Sequence, residues 1–136
     1  MKKFVLDNSV VMSWCFEDEK TAYCRKILEC MTEARSIVPS LWPFELANVL
    51  LMAEKKKRLS PAKVHQFLRY LEKLPIDIDQ TSVSELVEGC LDIARHHDLT
   101  AYDAAYLFLA VREQIPLATF DTALIKAARK LNIEIL

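Results

Sequence analysis

Short apolar runs alternate with longer segments of helical periodicity along the chain. The predicted strands, which are mostly Val, Ile or Leu, are Lys3–Leu6, Ser36–Val38, Ile76–Ile78, Pro116–Thr119 and Ile133–Leu136. The predicted helices are about Ser9–Cys15, Glu19–Ala34, Pro43–Lys56, Pro61–Leu74, Ser82–His96, Ala101–Glu113 and Thr122–Lys130. Because strands that alternate with helices pair in parallel through right-handed crossovers, the pattern predicts an α/β fold. We expect a single three-layer α/β/α domain with a central parallel sheet, spanning residues 1–136.

Helix start signals support these boundaries. Ser60 followed by Pro61 has the form of an N-cap residue before a proline in the first helical position. Thr81 is placed to cap the next helix. Thr100, with Asp103 three residues later, has the form of a capping box.

Four acidic residues, far apart in sequence, fall where predicted strands and helices meet. Asp7 and Asp121 follow strands, whereas Glu45 and Asp103 fall in the first turns of apolar helices. Binding sites of open parallel sheets lie beyond the carboxyl ends of the strands, so we expect the four carboxylates in one pocket there. A cluster of oxygen ligands without His or Cys suits Mg²⁺ or Mn²⁺. Asp7, Glu45, Asp103 and Asp121 are therefore the predicted metal ligands and catalytic residues.

Each acid also has a purely structural explanation. Aspartate is a favoured N-cap, and a carboxylate in a first helical turn is stabilised by roughly 0.3–1 kcal/mol. Asp121 could cap the helix that follows it, and Asp103 could complete a capping box. However, Asn8 could cap the first helix without Asp7, and Asp103 interrupts an apolar helix, where an unpaired carboxylate is costly. The four together favour a metal site.

Composition narrows the class of protein. The 136 residues include 18 basic and 19 acidic side chains, whereas a protein that holds nucleic acid by charge alone is usually strongly basic. Gly89 is the single glycine, which excludes glycine-rich phosphate loops and dinucleotide-binding turns. The four cysteines form no CxxC pair and indicate thiols of a reducing compartment. No apolar stretch suits a signal peptide or a membrane span, so we expect a cytoplasmic protein without a membrane partner.

The segment Leu41–Met52 is apolar nearly all round a helix. Such a helix is buried on more than one side, either at the centre of the domain or against another chain. Hydrophobic residues make up 52% of the chain and the mean hydropathy is +0.10, which also favours a covered apolar surface. We therefore expect a subunit contact and a homodimer.

The acids lie in sequence blocks that resemble a known family. The blocks are Val5-Leu6-Asp7-Asn8-Ser9-Val10-Val11, Phe44-Glu45-Leu46-Ala47-Asn48-Val49-Leu50, Leu99-Thr100-Ala101-Tyr102-Asp103-Ala104-Ala105-Tyr106-Leu107, Leu117-Ala118-Thr119-Phe120-Asp121, and the closing Ala127-Ala128 with Ile133-Glu134-Ile135-Leu136. In order and spacing, over the whole chain, they resemble PIN domains. The closest likeness is to the VapC-type toxin ribonucleases of type II toxin–antitoxin pairs.

This resemblance implies a divalent-metal-dependent endoribonuclease that hydrolyses RNA phosphodiester bonds, with the four acids as its acidic quartet. It also implies a parallel sheet of strand order 3-2-1-4-5, an RNA substrate and a cognate antitoxin protein as partner. Ser9 and Thr119 match positions where the family often carries a hydroxyl beside the metal acids. Asn48, one turn after Glu45, is a further supporting position.

Two other functions compete with this interpretation. A phosphoacceptor receiver domain has a similar sheet but needs paired acids after the first strand, an acceptor Asp after the middle strand and a Lys near the last. Here a single acid, Asp7, ends the first strand, and the residues after Ile78 offer only Asp79. The other alternative is a catalytically silent PIN-like module that binds RNA or protein, and the intact quartet argues against it.

Overall fold

A parallel sheet forms the centre of the computed structural model, which describes residues 2–16 and 21–136. Its strands are β1 (Lys3–Leu6), β2 (Arg35–Val38), β3 (Ile76–Ile78) and β4 (Leu117–Ala118), in the spatial order β3-β2-β1-β4. All pairs are parallel. The predicted order is therefore confirmed for these four strands.

The fifth predicted strand, Ile133–Leu136, is reduced to one parallel bridge between Leu117 and Ile135. The Leu117 amide donates to the Glu134 carbonyl, and the Leu136 amide donates to the Leu117 carbonyl. Because β4 is only two residues long, its outer edge offers no further pairing positions. The chain end thus occupies the fifth place in the sheet without forming a strand there.

The helices follow the predicted pattern to within one residue at each end, except for α2 and α4. They are α1 (Asn8–Cys15), α2 (Ala22–Cys30), α3 (Trp42–Lys55), α4 (Pro61–Leu71), α5 (Val83–His97), α6 (Ala101–Glu113) and α7 (Thr122–Lys130). The prediction for α2 was too long: Thr21 caps it by accepting from the Cys24 amide, and Glu19 lies outside the described residues. The prediction for α4 was also too long, because a turn in which the Leu74 amide donates to the Leu71 carbonyl ends the helix.

Two of the three predicted caps are confirmed. Ser60 accepts from the Lys63 amide at the start of α4, and Thr100 accepts from the Asp103 amide at the start of α6. The prediction that Thr81 caps α5 was wrong, because Ser82 holds that position.

The Thr81 hydroxyl instead donates to the Asp79 carboxylate and accepts from Arg112. Arg112 Nη2 also lies 2.8 Å from Asp79 Oδ1. These contacts join the end of β3 to α6, so Thr81 is engaged by a tertiary interaction rather than by its own helix.

Successive side chains of a strand point to opposite faces of the sheet, so the core of the described chain consists of two clusters, one on each face. Phe4 and Leu6 of β1 pack into one buried cluster together with residues of α1 to α4. Val5, between them, packs into a second cluster together with residues of α5, α6 and α7. Because successive side chains of a strand point to opposite faces, a strand buried on both faces has to be apolar throughout. The predicted α/β/α layering is confirmed.

Within residues 2–16 and 21–136, no helix combines the length and the apolar character needed to cross a membrane.

The packing of α5 on α6 predicts the effect of adding a side chain at Gly89, the single glycine. A Cβ built on Gly89 would lie 2.2 Å from Phe108 Cε1. Overpacking of this kind costs about 1–3 kcal/mol, and alanine recovers about 1 kcal/mol over glycine in a helix. We expect Gly89→Ala to lower the free energy of unfolding measured in urea.

A Phe108→Ala background supplies the control for this prediction. There the clash is absent, and the same Gly89→Ala change should stabilise the protein through helix propensity alone. A single Gly89→Ala variant at least as stable as wild type would show that the Phe108 ring moves aside without cost.

Candidate active site

Asp7 lies where the central strand β1 passes into α1. Its backbone amide donates to the Ala118 carbonyl of β4 over 3.0 Å, which places the residue at the carboxyl edge of the sheet. Although Asp7 holds the N-cap position of α1, its side chain makes no capping hydrogen bond. Asp7 is nevertheless only 6% exposed. Helix capping therefore does not explain why an acid is buried here.

Two hydroxyl groups satisfy the Asp7 carboxylate. Ser9 Oγ and Thr119 Oγ1 each donate to Asp7 Oδ2 over 2.7 Å. The Phe120 amide donates to Ser9 Oγ, and the Asp121 amide donates to Thr119 Oγ1. Backbone donors thus fix both hydroxyls, and the structure places the two supporting residues of the sequence-based prediction directly against Asp7.

Tyr23 of α2 reaches the same network from the other side. Its hydroxyl accepts from the Thr119 amide over 3.1 Å, and its ring packs edge-on against Phe120. Sequence reasoning gave Tyr23 no role. No local pattern marked it, since the contact joins residues 96 positions apart.

Asp121 and Asp103 both lie in helix N-terminal positions. Asp121 Oδ1 accepts from the Leu124 amide over 3.0 Å and so caps α7. Asp103 follows its cap Thr100 in the first turn of α6, and its backbone amide donates to Thr100 Oγ1 over 3.1 Å. A position at a helix start is therefore a possible structural explanation for each residue. The capping hydrogen bond of Asp121 uses Oδ1 and does not involve Oδ2.

Glu45, in the first turn of α3, is half-buried and accepts a hydrogen bond from the hydroxyl of Tyr106 in α6. Tyr106 is fully buried, as core packing predicts. Its contact with Glu45 was missed, because a tyrosine in an apolar helix resembles any other core residue. The available signal was that Tyr106 lies one turn after Asp103.

The four acids share one electrostatic environment. Burial is the main cause that raises the pKa of Asp7, Glu45 and Asp103 above their usual ranges. The Asp121 carboxylate further raises the pKa of Asp7 and of Asp103. Asp7 and Asp103 in turn raise the pKa of Glu45. Among the described residues, no ion pair with Lys, Arg or His involves any of these acids.

The donor set fits a hard divalent cation in its chemistry, since it consists of carboxylate and hydroxyl oxygens. As the side chains stand, no group of three or more His, Cys, Asp or Glu residues in the described parts of the chain is arranged to hold a metal ion. The acids therefore repel one another without forming a closed coordination shell.

Asn48 stands apart from this network. It is exposed on α3 and lines a shallow cavity with Phe16 and Arg58. None of the described hydrogen bonds connects it to the acids. Its supporting role stays a prediction.

Comparison with known proteins agrees with the geometry. A family model of the PIN domain matches residues 4–130. The chain belongs to the PIN domain family. Comparison with curated proteins gave no significant match.

Solved structures share the fold of this PIN domain at low sequence identity. PAE2754 from Pyrobaculum aerophilum is 21% identical with a TM-score of 0.69, over 93% of this chain and 86% of that one. VapBC2 from Rickettsia felis, bound to a DNA fragment from its promoter, is 14% identical with a TM-score of 0.70, over 98% and 97%. A toxin–antitoxin complex from Klebsiella pneumoniae is 16% identical with a TM-score of 0.62, over 87% and 86%.

The raised pKa values predict how stability depends on pH without a metal. A carboxyl group whose native pKa exceeds its unfolded value of about 4 binds its proton more tightly when folded. Its contribution to stability is therefore full below that value and is lost as the pH rises through the native pKa. Between about pH 4 and pH 8, the free energy of unfolding of wild type should fall more with rising pH than that of Asp7→Asn.

Urea unfolding at each pH measures how the free energy of unfolding of wild type and of Asp7→Asn depends on pH. Arg35 lowers the pKa of Asp77, and Arg112 and Thr81 lower that of Asp79 against the effect of burial. These groups act in the opposite direction, but they are common to both proteins and cancel in the difference. Parallel profiles would mean that Asp7 is not titrating against burial and its acidic neighbours.

Proposed function

We propose that this PIN domain is a divalent-metal-dependent endoribonuclease that hydrolyses RNA phosphodiester bonds. Asp7, Glu45, Asp103 and Asp121 are the proposed metal ligands and catalytic residues, with Mg²⁺ or Mn²⁺ as the ion. PIN domains are generally nucleases. The observation that carries the proposal is the group of mutually repelling acids, three of them with raised pKa values, at the carboxyl edge of the sheet.

In each of two acids, one carboxylate oxygen is held by hydrogen bonds and the other is available for a metal ion. Asp7 is held by Ser9 and Thr119 through one oxygen, which leaves Oδ1 available. Glu45 is held by Tyr106 through Oε1, which leaves Oε2. A bound divalent ion would offset the acids' charge, so that a phosphodiester could approach, and would polarise a phosphoryl oxygen and lower the pKa of a water molecule.

The biological role we propose is that of the toxin in a toxin–antitoxin pair. Support comes from the fold shared with the toxin–antitoxin complex of Klebsiella pneumoniae and with VapBC2. A cognate antitoxin would be the protein partner. Co-purification of a small protein encoded next to this gene, together with relief of growth inhibition when both are expressed, would support the role. Growth unaffected by expression of this active nuclease alone would contradict it.

A homodimer remains part of the proposal. The inner face of α3 is buried through Trp42, Leu46 and Leu50, as a central helix requires. Its other face leaves Phe44 79% exposed and Leu51 49% exposed. An exposed apolar face of this kind marks a contact surface. Sedimentation at micromolar concentration should show twice the monomer mass, and a stable monomer would contradict the dimer.

The alternative function is a catalytically silent PIN-like module that binds RNA or protein. The cap contacts of Asp103 and Asp121 are compatible with it. The burial of Asp7 without a capping role argues against it, because a silent module gains nothing from a buried carboxylate that has hydrogen bonds but, among the described residues, no ion pair. A nuclease assay with added Mg²⁺ or Mn²⁺ separates cutting from binding.

Asp103→Asn tests the catalytic assignment. Asparagine keeps the shape and the hydrogen bonds of a first-turn residue but removes one negative charge. Loss of an outer-shell partner of a metal already costs about 10- to 100-fold, so loss of a ligand charge should lower RNA cleavage by at least that factor. The free energy of unfolding should stay equal or rise, because repulsion with Asp7 and Asp121 is relieved.

Asp92→Asn is the matched control, since Asp92 is an exposed acid of α5 that pairs with His96. This variant should cut RNA at the wild-type rate. Cleavage by Asp103→Asn at a rate near wild type would remove Asp103 from the site and weaken the nuclease proposal as a whole.

A further inference from the structure

Tyr106 reaches the acidic site from within the core and contacts Glu45. Its ring is fully buried in the cluster on the α5–α7 side of the sheet, together with Val5 and Ile37. Its hydroxyl donates to Glu45 Oε1. This hydroxyl thus joins α6 to the first turn of α3.

The position of Glu45 depends on this contact. A glutamate side chain has three rotatable bonds, and among the described hydrogen bonds the one from Tyr106 is the only one that the Glu45 carboxylate accepts. Asp7, by comparison, is held by Ser9 and Thr119. Tyr106 therefore does for Glu45 what the two hydroxyls do for Asp7, since it occupies one carboxylate oxygen and leaves the other available.

We propose that Tyr106 is a positioning residue that holds the Glu45 carboxylate in place for the divalent ion. This inference rests on the proposed function of the site. Hydrogen-bond partners behind a metal-binding carboxylate set its orientation, and their loss typically costs about 10- to 100-fold in metal affinity. Tyr106 itself contacts neither the ion nor the RNA.

If Tyr106 had a purely structural role, its loss would have a different effect on metal affinity. A buried phenol needs a hydrogen-bond partner, and Glu45 could simply satisfy it. In that case Tyr106→Phe would change the stability of the protein but leave its affinity for metal unchanged. Metal affinity is therefore the measurement that separates the two roles.

The experiment uses the whole chain and Mn²⁺ alone, titrated by calorimetry at neutral pH. Tyr106→Phe keeps the ring and should raise the dissociation constant for Mn²⁺ by about 10- to 100-fold relative to wild type. Tyr70→Phe is the matched control, because it removes a phenol hydroxyl from α4, on the other face of the sheet. Its dissociation constant should equal that of wild type. Circular dichroism verifies that each variant is folded.

A double-variant cycle shows whether Tyr106 acts through Glu45. In a Glu45→Gln background the carboxylate is gone, so adding Tyr106→Phe should leave the dissociation constant unchanged. This pair also serves if Tyr106→Phe alone fails to fold, because the neutral amide of Glu45→Gln leaves no buried charge without its donor. A further loss of affinity in the double variant would overturn the inference.

The outcomes keep the two proposals distinguishable. Wild type and Tyr106→Phe that bind Mn²⁺ equally would overturn the role of Tyr106 and leave the metal site intact. A wild type that binds no Mn²⁺ at millimolar concentration would overturn the proposed metal-dependent function and this inference with it.

Discussion

The segment Asp7–Ser9, where β1 passes into α1, is the feature on which the arrangement of the site depends. Its three residues contact α3 and the segment after β4. Asp7 accepts from Thr119, the Asn8 side chain accepts from Trp42 over 3.0 Å, and Ser9 accepts from the Phe120 amide. Strand β1, helix α3 and the segment after β4 therefore hold fixed positions relative to one buried carboxylate.

A buried negative charge at this place carries a cost. Removing a carboxylate from water is unfavourable unless hydrogen bonds or an opposite charge compensate. Ser9 and Thr119 supply hydrogen bonds, but the surrounding acids add repulsion. A fold selected for stability alone would place an amide or a hydroxyl here. The retained charge is the physical reason to expect a cation.

The fold could largely be predicted from the sequence because its determinants are local. The apolar run of β1 and the cap residues Ser60 and Thr100 each carry their own signal. The prediction failed where a residue distant in sequence takes part. The Thr81 hydroxyl contacts Asp79, two residues before it, and Arg112 of α6, so it does not cap α5 as its position suggested.

The same distinction applies to the candidate site. The four acids could be located because strand ends and helix starts are visible in the sequence, and the edge of a parallel sheet brings such positions together. The contacts of Tyr106 and Tyr23 could not be predicted. Each joins residues far apart in the chain, Tyr106 to Glu45 and Tyr23 to Thr119, and the sequence of a helix gives no indication of which distant residue its phenol oxygen contacts.

The central claim, that these acids together hold a divalent ion, is tested most directly by the anomalous scattering of manganese in crystals grown with Mn²⁺. The account predicts a peak within coordination distance of Asp7 Oδ1 and of at least one carboxylate oxygen of Asp103, Asp121 or Glu45. A strong peak bound to other residues, or none at saturating Mn²⁺ in a well-ordered crystal, would contradict it.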